Sequence, residues 1–372
     1  MSSGPGGKKT PLYEVHNARK AKMVNFNGWD LPVQYQGIIE EVKATRQRAS
    51  LFDVSHMGEI KIEDSESEEF LQRLLTNDVS KLSPGKAQYT LLCNNNGGIV
   101  DDLLVFRLGE KSFWLIVNAA NIDKDLSWLK DNVQEQERVE IVDESNEFAL
   151  IALQGPKAGE ILSDLITNYN SDLNVDDLAN FSFKKTKISD IDLLISRTGY
   201  TGEDGFELFL PAEKGEKIWL LLEEVGEKYG LALAGLGARD VLRLEAALPL
   251  YGQELSEDIT PLQAGLSSFV KFNKFFIGKE ELEKQKEEGI KKKLIGFEME
   301  GKRAGRNGYE LYDQDNKVGV VTSGSFSPTI GKPIGLGYVS KAKAVIGNEL
   351  KVKIRNKLED ARIVKIPFYR RG

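Results

Sequence analysis

The chain has 372 residues, enough for two or three domains at roughly 100–200 residues each. Hydrophobic residues make up 41% and charged residues 29%, so a large core can form without disulfide or metal staples. A net charge of −7 argues against a broad nucleic-acid-binding face, and one cysteine, Cys93, cannot form an internal disulfide.

The start, Met1 to Lys9, is small and polar and lacks the apolar stretch of a secretory signal. With the lone cysteine, this predicts a cytoplasmic protein in a reducing setting. The first segment with chemistry is Leu51-Phe52-Asp53-Val54-Ser55-His56-Met57-Gly58-Glu59. No cysteine or serine nucleophile pattern accompanies His56, so it reads as a satisfied core histidine. Met57 is flexible and polarizable and can pack on a flat ring. Phe70, Leu71, Leu74 and Leu75 then share a helical face behind Glu66, Glu68 and Glu69, acidic residues that suit a helix N-terminus.

A polar turn, Asn94 to Gly98, feeds the apolar strand Ile99 to Phe106. Strand side chains alternate, so Asp101 and Asp102 point to opposite faces, Asp102 with Val100, Leu104 and Phe106. A carboxylate on such a face needs a partner or a task. Backbone hydrogen bonding at the mouth of the strand and direct chemistry both fit. Phe113 to Val117 is a further strand, and like the other apolar runs is too short to span a bilayer. Ile122, Leu126, Leu129 and Val133 recur at helical spacing, and Phe148 to Leu153 and Leu193 to Ser196 read as strands.

The stretch Arg197 to Glu207 carries Gly199, Gly202 and Gly205, whose spacing lets backbone turn sharply or approach a flat ligand. Glu207 sits in the strand-like run Phe206 to Leu210, where a carboxylate, if buried, can pair with the two parallel donors of a guanidine-like heterocycle edge. A hairpin with a solvated glutamate is the reading that the pattern alone favours. Ile218, Trp219, Leu222 and Val225 mark another helix. From Gly235 to Ala246 a helix places Arg239 and Arg243 on one face and Glu245 on another. Arg239 either holds a substrate carboxylate or makes a structural salt bridge.

Gly278 to Lys293 reads as a charged helix leading into a connection. Beyond it, Leu350, Val352 and Ile354 alternate with Lys351, Lys353 and Arg355, a half-buried strand, and Asp313 to Asn316 is a turn. These patterns predict an α+β module over 1–277, a connecting helix over 278–289, and an all-β domain, a small barrel, over 290–372.

A zinc site would need nearly all of His16, His56 and Cys93, and an oxygen-ligand site for magnesium or calcium stays open although no EF-hand spacing is present. Gly4 to Thr10 lacks the spacing and preceding strand of a phosphate-binding loop, and Gly235-Leu236-Gly237 lacks the third glycine of a dinucleotide loop. ATP and nicotinamide are therefore not expected.

The four stretches around His56, Asp102, Tyr200 and Arg239, in this order, resemble the aminomethyltransferase (T-protein) family of the glycine cleavage system. The resemblance extends to Thr10-Pro11-Leu12-Tyr13, Phe26-Asn27-Gly28-Trp29, Thr76-Asn77-Asp78, Val117-Asn118-Ala119-Ala120-Asn121 and Leu153-Gln154-Gly155-Pro156. It continues through Leu250-Tyr251-Gly252-Gln253, Thr322-Ser323-Gly324 and Pro367-Phe368-Tyr369, and so covers almost the whole chain from Thr10. Singly these motifs are weak; their joint order is specific.

The resemblance implies a three-domain cloverleaf, T-protein-like α+β fold with two intertwined subdomains and a C-terminal β-barrel. It implies transfer of the methylene carbon from aminomethyl-dihydrolipoyl H-protein to tetrahydrofolate, with release of ammonia and formation of 5,10-methylenetetrahydrofolate. Tetrahydrofolate would be a co-substrate, with no metal, flavin or nicotinamide. Partners would be lipoylated H-protein and, functionally, the other glycine cleavage components, with neither nucleic acid nor membrane. By motif, Asp102 matches the acidic residue beside the folate nitrogens. Glu207 matches the pterin-edge residue, Arg239 a contact further along the folate, and Tyr89, Asn118, Tyr200 and Met57 the lining of the same cleft. One departure is Gly265-Leu266-Ser267-Ser268-Phe269, where the family often has a tryptophan after Gly-Leu-Ser. Related oxidases add a flavin domain for which this chain has no room, and a folate protein of tRNA modification carries a cysteine in the loop matching Gly199-Tyr200-Thr201, which is absent here. Folate-dependent demethylases and a non-enzymatic folate binder are the remaining alternatives. A basic patch of Lys291, Lys292, Lys293, Arg303 and Arg306 is a candidate docking surface for H-protein.

Overall fold

The computed structural model describes residues 6–169 and 171–372. The polar start therefore lies outside the described residues as far as Pro5. The chain divides into two compact units, each assembled from three segments. The first takes residues 1–67, 82–88 and 104–240, the second 68–81, 89–103 and 241–372.

The first unit is built on a six-stranded sheet ordered Phe183–Ile188, Ile191–Ser196, Gly205–Pro211, Phe148–Gln154, Ser50–Asp53, Ala232–Leu233. Its inner strands Gly205–Pro211 and Phe148–Gln154 are buried on both faces and read as near-continuous apolar runs, whereas the edge strand Phe183–Ile188 exposes Lys184, Lys185 and Lys187. Phe206, Leu208 and Leu210 face one way, into a core with Ile161, Leu165 and Trp219 from the helices Ala158–Asn168 and Gly215–Gly226. Full burial of such side chains contributes about 1.5–3 kcal/mol each. Glu207 and Phe209 face the other way, where the Phe209 ring lies 5.4 Å from Phe106 and 5.9 Å from Trp114. Those two aromatics belong to a five-stranded sheet ordered Ala87–Cys93, Ile99–Gly109, Ser112–Val117, Gly58–Glu63, Glu140–Asp143.

The helix that begins at Ile122 stops at Asp131. The side chain of Asn132 donates to the Trp128 carbonyl at 2.8 Å and closes the last turn, so Val133 lies beyond the helix its spacing had placed it in.

In the second unit, Phe70, Leu71, Leu74 and Leu75 are all fully buried, as their spacing predicts. A charged helix spans Lys279–Glu288. Six strands then close a barrel in the order Lys292–Met299, Lys332–Ser340, Asn316–Ser327, Glu310–Asp313, Glu349–Ile354, Lys357–Val364. Leu350, Val352 and Ile354 fill its interior with Phe297, Leu311 and Val321, while the alternating Lys351, Lys353 and Arg355 stay outside the core. Asp313 pairs with Asn316 across a two-residue turn. Among the described residues no helix is long and apolar enough to cross a membrane.

Candidate functional site

In the first unit, register sets the position of Glu207. It lies opposite Ser196 on one side and Ala152 on the other, and Ala152 in turn lies opposite Phe52. Side chains directly opposite in a ladder share a face. Glu207 is 9% exposed, and Thr198 Oγ1 donates to its Oε2 at 2.5 Å while lying 2.9 Å from Ser196 Oγ. Burial raises its carboxyl above the usual carboxylate range; the Thr198 hydroxyl and the Arg239 charge only partly offset this. The solvated-hairpin reading of Glu207 is thus overturned: its strand is inside the sheet, with neighbours on both sides.

The loop before it is held by side chains that the sequence reading passed over. Gln154 donates to the Thr198 carbonyl at 3.1 Å and accepts from Thr201 Oγ1 at 2.9 Å. A Cβ on Gly199 would sit 2.0 Å from the Gln154 side chain, and one on Gly205 2.4 Å. The close approach that these glycines permit is therefore to Gln154. Arg46, on the helix Ile38–Gln47, holds the loop through the Thr201 carbonyl at 2.7 Å and Glu203 at 2.9 Å, and Arg197 clamps Asp204 with two bonds, at 3.0 and 2.6 Å. Such bracing fixes Tyr200 before any ligand arrives. The Arg239 guanidinium stands 4.7 Å from the centre of the Tyr200 ring.

Arg239 rides on the helix Leu236–Glu245. The buried Glu41 carboxylate anchors the start of that helix, accepting from Gly235 N at 3.0 Å and from the backbone of Tyr35, Gln36 and Gly37 at 2.6, 3.1 and 3.1 Å. Met57 and Asn118 flank one end of another ladder, because Gly58 pairs with Val117 where the two strands begin and end. Both are half-buried. Met57, Asn118, Tyr200, Glu207 and Arg239 therefore all belong to the first unit.

His56, beside Met57, is in the core but is not satisfied: it is 3% exposed and its Nδ1 has no partner. Burial and the nearby Arg239 charge lower its pKa to about 4, with Asp53 acting the other way, so the ring is neutral at pH 7. His16 is the opposite case. Its Nε2 meets Asp53 Oδ2 at 2.8 Å and its Nδ1 meets the Tyr35 hydroxyl at 2.8 Å, while Thr10 donates to the same carboxylate at 2.6 Å. Burial alone would raise the Asp53 carboxyl, but the His16, Ser55 and Thr10 bonds hold it below the usual range.

In the second unit, Tyr89 donates its hydroxyl to Asp102 Oδ2 at 2.9 Å. Asp102 is half-buried, whereas Asp101 on the other face is fully buried. The strand carrying both is aimed by the turn before it. Asn94 Oδ1 accepts from Asn96 and Gly98 at 3.0 Å each, and a Cβ on Gly98 would lie 1.7 Å from the Glu257 carbonyl oxygen, so only glycine fits. Tyr89 is held in turn by Asn77, whose side chain donates to its carbonyl at 2.9 Å. Thr76 likewise donates to the Phe269 carbonyl at 3.0 Å, and the Phe269 ring packs edge-on to Tyr89 with centroids 4.7 Å apart. Phe269, close to where the family often has a tryptophan, thus packs on Tyr89. The Thr76-Asn77-Asp78 triplet was visible as a motif, but its task was not.

Arg243, a turn beyond Arg239, makes the structural salt bridge: its guanidinium is buried against Glu254 at 2.7 Å and Ser323 at 2.8 Å. In the basic patch, Lys291 is exposed, while Arg303 pairs with Glu359 at 3.6 Å and Arg306 donates to the Gly324 carbonyl at 3.0 Å.

Comparison with known proteins matches residues 12–274 to the GCVT N-terminal domain and 292–370 to the glycine cleavage T-protein C-terminal barrel domain. An aminomethyltransferase of Thermoanaerobacter sp. (strain X514) is 52% identical over 98% of both chains. That of Bacillus subtilis (strain 168) is 48% identical over 98% of this chain and 99% of its own. The crystal structure of the glycine cleavage system aminomethyltransferase T from Bartonella henselae superposes with a TM-score of 0.91 at 34% identity, covering 98% of each chain.

Proposed function

Since this chain belongs to the glycine cleavage T-protein family and is an aminomethyltransferase, we propose that Asp102 and the Glu207–Arg239 group serve its one-carbon transfer to tetrahydrofolate. The reaction takes the methylene carbon of the aminomethyl-dihydrolipoyl arm of H-protein, frees ammonia and the dihydrolipoyl thiol, and yields 5,10-methylenetetrahydrofolate. The observation that carries the site reading is the buried Glu207 carboxylate, held by Thr198 beside Arg239.

Tetrahydrofolate supplies the nucleophilic nitrogens and a flat ring whose edge presents two donors. The residues fit such a group. Glu207 offers a desolvated carboxylate to that edge, Tyr200 and Met57 offer faces to the ring, and Arg239 offers a fork for a carboxylate further along. Asn118 supplies a further polar contact. Asp102 orients the co-substrate and takes up or returns a proton at its carboxylate, which Tyr89 keeps in one rotamer. Positioning two reactants supplies much of the acceleration, so no covalent enzyme adduct is required.

We take 1–277 as the folate-binding module, 278–289 as the connector and 290–372 as the barrel domain. The setting is cytoplasmic, and the partner is lipoylated H-protein, docking through Lys291, Lys292, Lys293, Arg303 and Arg306. Tetrahydrofolate-dependent ammonia release from loaded H-protein tests the chemistry. Asp102→Asn should lower it at least about tenfold, a loss of roughly 1.4 kcal/mol in transition-state binding. Unchanged release would remove Asp102 from the chemistry. In the same assay, charge reversal at the five basic positions should raise KM for H-protein; an unaltered KM would discard that surface.

A further inference from the structure

A buried ring nitrogen without a partner is uncommon, because leaving it dry destabilises the fold. His56 Nδ1 is such a nitrogen. The residue stands at the head of the strand Gly58–Glu63, next to Met57, with the Phe26 ring edge-on at 6.2 Å. Its ring is neutral beside Arg239, so Nδ1 can donate or accept according to tautomer, without the repulsion an imidazolium would meet there. The other histidine has both nitrogens paired within the protein. The unpaired His56 Nδ1 lies among residues assigned to ligand contact, whereas the unpaired Trp219 Nε1 sits in the hydrophobic core of the first unit.

We propose that His56 Nδ1 forms a direct hydrogen bond with bound tetrahydrofolate, making His56 a binding residue of the co-substrate site. This rests on the reading of Met57 and Arg239 as folate-lining residues. The competing occupant is a buried water, which would serve the nitrogen with or without folate.

Three variants test it, with folate affinity measured by calorimetry on the enzyme alone, without turnover. An asparagine amide reaches the place of Nδ1, a glutamine amide that of Nε2, and phenylalanine neither. His56→Phe should weaken tetrahydrofolate binding about tenfold, the size of one lost hydrogen bond. Its melting temperature without ligand should stay level or rise, since the dry nitrogen is gone. His56→Asn should bind within about threefold of wild type, and His56→Gln as weakly as the phenylalanine variant. Wild-type affinity in His56→Phe, or equal affinities in the asparagine and glutamine variants, would overturn the proposal. Should the phenylalanine variant not fold, the asparagine–glutamine contrast decides alone. Arg239→Lys is measured alongside. If it weakens binding while the His56 variants do not, only the His56 inference falls; if neither does, the folate reading of this group falls with it.

Discussion

The two histidines of the chain are equally buried and differently employed. His16 is 0% exposed and joins Tyr35, Asp53 and Thr10 in a network that satisfies both its nitrogens. His56 is 3% exposed and keeps one nitrogen unpaired beside Arg239. Burial alone does not tell the two apart; the state of their hydrogen bonds does. The two arginines of the helix Leu236–Glu245 also differ in their surroundings. Arg243 is locked by Glu254 and Ser323, while Arg239 lies across Tyr200.

Removing the satisfied member should cost most. His16→Phe leaves Asp53 and Tyr35 buried without their shared partner, and is expected to lower unfolding free energy by about 3–5 kcal/mol. Chemical denaturation measures this, and the folded fraction should bind folate as before. A loss below about 0.5 kcal/mol would mean the network contributes little to stability.

Glu207→Gln should behave in the opposite sense. The folded pKa of Glu207 is raised, so its contribution to stability is fully present below the unfolded value of 4.5 and is lost as pH rises through the folded value. Replacing it should therefore raise the melting temperature of the ligand-free protein at pH 7, with a gain that fades below about pH 4.5, while folate affinity falls about tenfold or more. A lower melting temperature at pH 7 would show that the charge is better compensated than its burial implies.

The smallest effect is expected in acid. His56 titrates from 6.5 when unfolded to about 4 when folded, so the stability it contributes is present above pH 6.5 and is lost as pH falls toward 4. Asp53, whose pKa is lowered, adds to the same acid limb at lower pH. The fall in melting temperature between pH 7 and 5 should be shallower in His56→Phe than in wild type. Equal slopes would mean that His56 is not the group titrating there.

Much of this architecture was legible because periodicity reports burial. Phe70 to Leu75, Ile218 to Val225 and the alternation at Leu350 to Ile354 all encode which face is inside. Glu207 and Asp102 were findable as carboxylates on apolar strands. What stayed hidden was pairing at long range. Nothing in Gly199 or Gly205 announces that Gln154, far earlier in sequence, fills the space above them. Glu41 anchoring Gly235 is equally silent, since an acidic residue early in a helix looks like an ordinary partner of the helix dipole. Whether a buried histidine is satisfied depends on atoms from several segments, and no local pattern carries that.

The interleaving of the two units has a consequence for synthesis. Residues 68–81 and 89–103 emerge from the ribosome well before the segment from 241 onward with which they are grouped. At ~5–20 residues per second, they wait on the order of ten seconds for it. During that interval Leu91, Cys93 and Ile99 lack Leu244, Leu255 and Phe276, with which they share a core. A nascent chain of this design needs shelter for that stretch, and a truncation just after residue 240 would expose it permanently.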